Sequence, residues 1–151
     1  NGGSAATASH MCVDLNKGIL AGGASRRFKC LCLSDGIPTM TAWANDTCYD
    51  SIFKEQLANF VEPDDLVLAI SGSGNSPNVL EAVQYAAGKG ALTIGITGFQ
   101  GGRLKELASF ALVVNNEVME QIEDIHLVVC HMLKHYLIRN VSGNDSGPGG
   151  A

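Results

Sequence analysis

Eight consecutive residues, Ser71–Asn78, combine serines and glycines in a way that could surround an anion. The apolar run Leu66–Ile70 precedes them, and a helical pattern beginning at Val79 follows. In a strand, turn and helix in that order, the backbone N–H groups of the turn and the positive end of the helix dipole point at one spot, where serine hydroxyls add donors. Ser76 suits the N-cap of the helix, and Pro77 suits its first position. The turn lacks a lysine and the spacing of a nucleotide-binding P-loop, which favours the phosphate of a small metabolite; a ligand-free Ser/Gly turn is the alternative.

Side chains that bind metals or transfer protons form a second group. His10 and Asp14 are four residues apart, so both project from one face of a helix that begins near Ser4. A later helix carries Glu123 and His131, which lie about 12 Å apart along its axis. One metal ion could bind both only if the side chains reach unusually far, if the helix begins irregularly, or if a neighbouring subunit contributes one of the two ligands. In the last case, the active site would be shared between subunits. The alternatives are an inconsequential surface pair at His10 and Asp14, and a carboxylate at Glu123 that complements the helix dipole.

Helical and strand-like patterns alternate along the chain. Apolar spacing predicts helices over 5–17, 50–60, 78–88, 103–109 and 119–139, a short helix from Pro38 through Trp43 that ends near Asn45-Asp46, and strands over 29–33, 66–70, 92–96 and 110–114. Ser4 is expected to cap the first helix. Repeated strand-then-helix units predict an α/β fold with a doubly wound parallel sheet and helices on both faces, whose ligands bind beyond the carboxyl ends of the strands.

The two ends of the sequence have distinct patterns. Residues 1–4 are typical of a turn that follows a strand, but no strand precedes them, so we expect the first strand of the sheet to be missing. The Gly/Ser-rich residues 140–151 are expected to form a flexible tail after a single domain over 1–139.

The amino-acid composition limits the partners and the cellular location that this chain is expected to have. Charged residues make up 17% of the 151 residues and hydrophobic ones 46%, which suggests that other subunits cover some apolar surface. A net charge of −5 without a basic block argues against nucleic acid and anionic membranes as partners. The sequence has no membrane-spanning run or signal peptide, and its five cysteines lack a C-x-x-C pair, so we expect a cytoplasmic protein with reduced thiols.

These motifs together resemble the sugar isomerase (SIS) domain family, and within it the phosphoheptose isomerase branch. The motifs are the Asn1–Ser4 turn with His10, the Ser71–Ser76 turn, Asn45-Asp46, and Glu123–His126 followed by His131. The resemblance extends from residue 1 to about residue 139, and the family's N-terminal helix and first strand are absent. It implies a three-layer, flavodoxin-like fold.

The resemblance implies an aldose–ketose isomerase that converts sedoheptulose 7-phosphate to D-glycero-D-manno-heptose 7-phosphate through a cis-enediol, toward ADP-heptose for surface polysaccharides such as lipopolysaccharide. Family members are zinc-containing homotetramers with active sites between subunits. By motif position, the substrate-binding residues are Ser4, Asp46, Ser71, Ser73, Asn75, Ser76 and Glu123, the zinc-site residues are His10, Asp14, Glu123 and His131, and the general acid/base residues are Asp14 and His131.

The sequence departs from the family at two of these positions, because Asp14 stands where glutamate is usual and Glu123 where glutamine is usual. The shorter acid changes the geometry of the base, and the added charge of Glu123 should strengthen a divalent metal site. The alternative functions are a non-catalytic adaptor that binds the bacterial replication initiator, and a sensor or isomerase of another sugar phosphate. The presence of His10, Asp14 and His131 favours the enzyme, since an adaptor needs no acid–base pair.

Overall fold

A parallel, three-stranded sheet lies at the centre of the fold. The computed structural model describes residues 1–23 and 26–141. Its strands are β1 (Leu66–Ser71), β2 (Leu92–Gly98) and β3 (Phe110–Val114), in the spatial order β1-β2-β3. Ser71 pairs with Thr97, and Gly98 pairs with Val114, so the carboxyl ends of the strands meet at one edge.

Seven α-helices surround this sheet in the described residues. They are α1 (Gly2–Val13), α2 (Ile19–Ala21), α3 (Ile37–Asp46), α4 (Ile52–Phe60), α5 (Pro77–Gly88), α6 (Gly102–Leu107) and α7 (Met119–Val141). A π-helical turn, Asp14–Gly18, joins α1 to α2 without a break, and a 3-10 turn, Tyr49–Ser51, leads into α4.

The helices cover both faces of the sheet because successive strand side chains point to opposite sides. On one face, Ala69 packs with Val83 of α5 and Leu104 of α6. On the other face, Ile70 packs in a cluster with Met11 of α1 and Cys130 of α7. The predicted α/β fold with a parallel sheet between two helical layers is therefore confirmed.

Three local predictions differ from the structure. Residues 29–33 form no strand, because the backbone N–H and carbonyl of Cys30 bond with the Asn16 side-chain amide, at 3.0 and 2.9 Å, instead of with a neighbouring strand. Ser4 does not cap α1, because the helix begins two residues earlier at Gly2 and Asn1 takes the N-cap position. Residues 140 and 141 of the expected tail belong to α7, and 142–151 lie outside the described residues.

Among the described residues, no helix combines the length and apolar character that crossing a membrane requires.

Candidate functional site

The turn between β1 and α5, which the sequence analysis predicts to bind an anion, is closed at Gly74. Gly74 has a φ of +67°, which favours glycine, and its N–H donates to the Ser71 carbonyl at 3.0 Å. Ser76 is the N-cap residue of α5 and Pro77 follows it in the first turn, as predicted, but the Ser76 hydroxyl makes no capping bond. It lies instead 3.2 Å from the Ser71 hydroxyl, so two serines converge beside the positive end of the α5 dipole.

A second glycine loop holds this turn in place. A Cβ atom on Gly74 would collide with the carbonyl of Gly101 and would lie 2.7 Å from Thr97 Oγ1. The Leu104 N–H donates to the Gly74 carbonyl at 2.9 Å. The predicted substrate-binding residue Asn75 braces the turn, since its Oδ1 accepts the Arg103 N–H at 3.0 Å. The close approach of the two loops explains why glycine occupies position 74.

An asparagine pair brings the beginning of α1 to the beginning of α5. Asn1 Nδ2 donates to Asn78 Oδ1 at 3.0 Å, and Asn78 Nδ2 donates to Asn1 Oδ1 at 2.9 Å. Asn78 is buried, and the Tyr49 hydroxyl donates to Asn1 Oδ1 at 2.9 Å. The positive ends of two helix dipoles therefore meet beside the serine turn. Sequence reasoning did not assign roles to Asn78 and Tyr49, although Asn78 lies within the quoted motif.

Glu123 lies at the first turn of α1 instead of with the predicted metal ligands. A Cβ atom on Gly3 would be 2.5 Å from Glu123 Cδ, so the carboxylate packs directly against the Gly3 backbone. A negative charge in this position stabilises the N-terminus of α1, whereas the dipole alternative for Glu123 concerned the N-terminus of its own helix, α7. The predicted substrate-binding residue Ser4 is buried in the same turn. Glu123 is thus placed at the first turn of α1 and apart from His131.

The other three predicted metal ligands converge. His10 Nε2 lies 2.9 Å from His131 Nε2, and the two rings meet edge-on with centroids 4.9 Å apart. Asp14 Oδ2 lies 3.6 Å from His10 Nε2 and 3.8 Å from His131 Nε2. Asp14 is buried, and its Oδ2 has no hydrogen-bond partner among the residues that the structure describes. We refer to His10, Asp14 and His131 as the triad.

The geometry of the triad fits a zinc ion. Zinc in a tetrahedral site binds ligands at about 2.0–2.1 Å, which places neighbouring ligand atoms about 3.3 Å apart. The separations of 2.9, 3.6 and 3.8 Å bracket that value. Two imidazole nitrogens and a buried carboxylate oxygen without a partner form a donor set that zinc accepts, with the fourth position open to water or substrate.

The triad is assembled by two helices that run side by side in the same direction. Gly3 faces Glu123, and His10 contacts His131. Further along, the backbone of Gly22 lies against the Ile138 side chain. α1, its π-helical continuation and α2 therefore follow α7 throughout. π-helical turns are often found at functional sites, and this one begins at Asp14.

Lys134 is a neighbour of the triad that sequence reasoning missed. Its Nζ lies 2.7 Å from Asp14 Oδ1, so it forms an ion pair with the predicted base. The sequence could have indicated this residue, because Lys134 comes three positions after His131 and both side chains therefore lie on one face of α7.

His126 and Asp46 lie apart from the triad. The His126 side chain is fully buried, and neither ring nitrogen has a hydrogen-bond partner in the described part of the chain. Burial lowers the pKa of His126, and the Thr97 backbone and the Glu123 charge oppose that shift. The predicted sugar-binding residue Asp46 is exposed at the end of α3, where its Oδ1 accepts from Asn45 Nδ2 at 2.9 Å.

Comparisons with known proteins identify the family of this chain. Residues 39–131 match the model of the SIS domain family. The chain is 36% identical over 140 residues to the phosphoheptose isomerase of Crocosphaera subtropica, covering 88% of this chain and 67% of the relative. It is 38% identical over 133 residues to that of Rhodospirillum rubrum, covering 88% and 70%.

Solved structures show the same likeness. A phosphoheptose isomerase from Francisella tularensis superposes with a TM-score of 0.81 at 29% identity, covering 93% of this chain and 72% of that one. One from Neisseria gonorrhoeae gives a TM-score of 0.84 at 28% identity, covering 93% and 73%. The chain therefore belongs to the SIS domain family, in its phosphoheptose isomerase branch.

Proposed function

We propose that this protein is a phosphosugar aldose–ketose isomerase that converts sedoheptulose 7-phosphate to D-glycero-D-manno-heptose 7-phosphate. The observation that carries the proposal is the triad, in which a buried carboxylate faces two imidazoles in a chain whose relatives are phosphoheptose isomerases. An aldose–ketose isomerase needs a base for a carbon-bound proton and an acid for oxygen, and the triad supplies both types of group.

The serine turn and the two helix N-termini bind the phosphate in this proposal. Ser71, Ser73 and Ser76 donate hydroxyl hydrogen bonds, and the dipoles of α1 and α5 favour the negative charge. Ser4, Asn75 and Glu123 surround the same end of the molecule, and Asp46 binds a sugar hydroxyl. No lysine lies within the turn, so backbone and hydroxyl donors carry the binding.

The chemical step is a proton transfer between neighbouring carbons. Asp14 removes a proton from C1, and His131 transfers a proton between the oxygens on C1 and C2, so that a cis-enediol forms; Asp14 then returns a proton to C2, which gives the aldose. His10, Asp14 and His131 would hold the zinc, with Glu123 as a further ligand only if the assembly brings it there. Bound zinc would polarise the carbonyl and stabilise negative charge on the oxygens. We expect Asp14 to be a slower base than a glutamate placed at the same backbone position, because it is one methylene shorter.

The proposed active site is completed by a neighbouring subunit. Glu123, at the proposed phosphate end, and His131 are about 12 Å apart along α7, whereas the fully extended chain from C2 of a seven-carbon sugar to its phosphorus spans about 9 Å. One face of α7 supports an assembly, because Ile125, Val128, Met132 and Tyr136 repeat at helical spacing and are 39–65% exposed. We propose a homotetramer that buries this face.

A mixing experiment tests the sharing of sites. Chains carrying Ser73→Ala and Ser76→Ala would be unfolded together with chains carrying His131→Ala and then refolded as mixed assemblies. If one site takes its serine turn and its triad from different subunits, the mixture regains part of the activity that each variant lacks. If correctly assembled mixtures stayed inactive, each chain would contain a complete active site of its own.

The activity itself is tested with the purified, zinc-supplied assembly and sedoheptulose 7-phosphate. His131→Ala should abolish turnover, and the exposed His135→Ala should not, which separates the triad from a general effect of losing a histidine on α7. Folded assembly without turnover would favour the adaptor reading. Thermal-shift competition among phosphosugars would identify a different substrate, because the preferred ligand stabilises most at equal concentration.

We place the reaction in the cytoplasm, on the route to ADP-heptose for heptose-containing surface polysaccharides. Free thiols at the described cysteines support this placement; they are Cys12, Cys30, Cys32, Cys48 and Cys130.

A further inference from the structure

The two carboxylate oxygens of Asp14 have different surroundings. Oδ1 accepts from Lys134 Nζ at 2.7 Å, whereas Oδ2 faces the imidazoles of His10 and His131 without a hydrogen bond. The Asp14 side chain is 10% exposed and that of Lys134 is 22% exposed. The ion pair is therefore largely shielded from water, where a charged hydrogen bond is stronger than at an exposed surface.

The fold leaves space for this ion pair at Gly18. A Cβ atom at that position would lie 2.9 Å from Asp14 Oδ1 and 3.0 Å from Lys134 Cε, closer than packed side chains allow. Gly18 ends the π-helical turn that begins at Asp14, so the irregular turn and its last residue together make room for the lysine. The contact between Lys134 and Asp14 is thus supported by the backbone as well as by charge.

Lys134 already balances the charge of the buried carboxylate. A divalent cation bound at Oδ2 would bring further positive charge close to the Lys134 ammonium, with only the Asp14 carboxyl group between them. Like charges at that separation, in a partly buried site, repel strongly. Lys134 therefore has two opposite effects: it stabilises Asp14 when no metal is bound, and it opposes the binding of a metal.

We propose that Lys134 is a positioning residue that acts as the resident counter-ion of Asp14, holding Oδ2 toward the imidazoles without a metal and limiting the affinity of the triad for a divalent cation. This inference deepens the proposed function and rests on it for the role of Asp14 as the base. It implies that the acid–base geometry persists in the metal-free protein.

Zinc affinity tests the proposal directly. Competition with a chromophoric chelator should show that Lys134→Met binds zinc at least about tenfold more tightly than the unmodified chain, because the substitution removes a positive charge beside the metal. Lys134→Arg keeps the charge and should stay within about threefold. Lys17→Met removes an exposed lysine from the same π-helical turn and controls for a change in net charge. Equal or weaker zinc binding by Lys134→Met would overturn the proposal.

Thermal unfolding gives an independent measurement on the same variants. Lys134→Met should unfold at a lower temperature than the unmodified chain when free of metal, and saturating zinc should remove most of that difference. A lysine that acts only through packing would leave the difference the same with and without zinc, which would contradict the proposal. Neither measurement requires sugar turnover, so an inactive protein would reject the isomerase assignment and leave these results interpretable.

Discussion

Replacing Asp14 with asparagine removes the charge of the proposed base and keeps its size. The side chain lies 2.7 Å from Lys134 and faces two imidazoles at 3.6 and 3.8 Å, so the substitution acts on both at once. An amide oxygen can still accept from Lys134, so we expect the free energy of unfolding to fall by only about 1–2 kcal/mol, less than a fully buried charged hydrogen bond contributes.

Catalysis should fall far more than stability. Loss of a positioned general base costs about 10²–10⁴ in rate, which corresponds to about 3–5 kcal/mol in the activation barrier. Zinc binding should weaken as well, because an asparagine oxygen carries no charge to offer the metal.

The assay compares kcat and KM for sedoheptulose 7-phosphate at saturating zinc, together with urea unfolding of the same preparations. Glu106→Gln, which neutralises an exposed carboxylate on α6, is the matched control and should leave kcat/KM unchanged. If Asp14→Asn kept kcat/KM within about threefold of the unmodified chain, Asp14 would not be the base. Loss of activity in Glu106→Gln would show that the assay reports on net charge instead.

Three further predictions address the serine turn between β1 and α5, a buried histidine and a buried thiol. Gly74→Ala should weaken phosphosugar binding and lower the free energy of unfolding by about 1–3 kcal/mol, because Gly74 has a φ of +67° and the new Cβ would collide with the Gly101 carbonyl. Thermal-shift measurements with and without sugar phosphate report both effects. Unchanged values would contradict the packing of the two loops. His126 has a pKa lowered by burial, so the unfolded chain binds its proton first, and stability should fall as pH drops below about 6.5. Urea unfolding at pH 7.5 and 5.5 should show a smaller loss in His126→Phe than in the unmodified chain, and equal losses would reject this assignment. Burial, followed by the charge of Asp14, raises the pKa of Cys130 to about 11, so its thiol is protonated at pH 8 and reacts slowly. Iodoacetamide at pH 8 should therefore label the exposed Cys48 and spare Cys130 in the folded protein, which peptide mass spectrometry can measure.

Local patterns in the sequence predicted most of the fold. β1, the serine turn and α5 follow one another within 66–88, so apolar spacing, Ser76 and Pro77 were enough to predict them. The strand over 29–33 failed because a strand needs a partner, and the groups of Cys30 found one in the Asn16 side chain. Strand propensity within a short segment carries no information about that competition.

The sequence alone could not predict which distant segments pack together to form the site. His10, Asp14 and His131 were selected by residue type and resemblance, but their convergence depends on α1 and α7 running in parallel. The same packing places Lys134 on Asp14, a contact across 120 positions that no local pattern contains. Glu123 was expected among the metal ligands and lies at the first turn of α1, since eight residues of helix separate it from His131.

In the proposed function, the assembled protein isomerises a sugar phosphate by proton transfer through the triad. Proton NMR of sedoheptulose 7-phosphate incubated with the zinc-supplied assembly in D₂O follows this transfer at the reacting carbons. We expect an aldose signal to appear with deuterium at its C2 position, because the base exchanges its proton with solvent before returning it. A folded, zinc-loaded assembly that leaves the ketose unchanged and unlabelled would show that the triad does not catalyse this isomerisation.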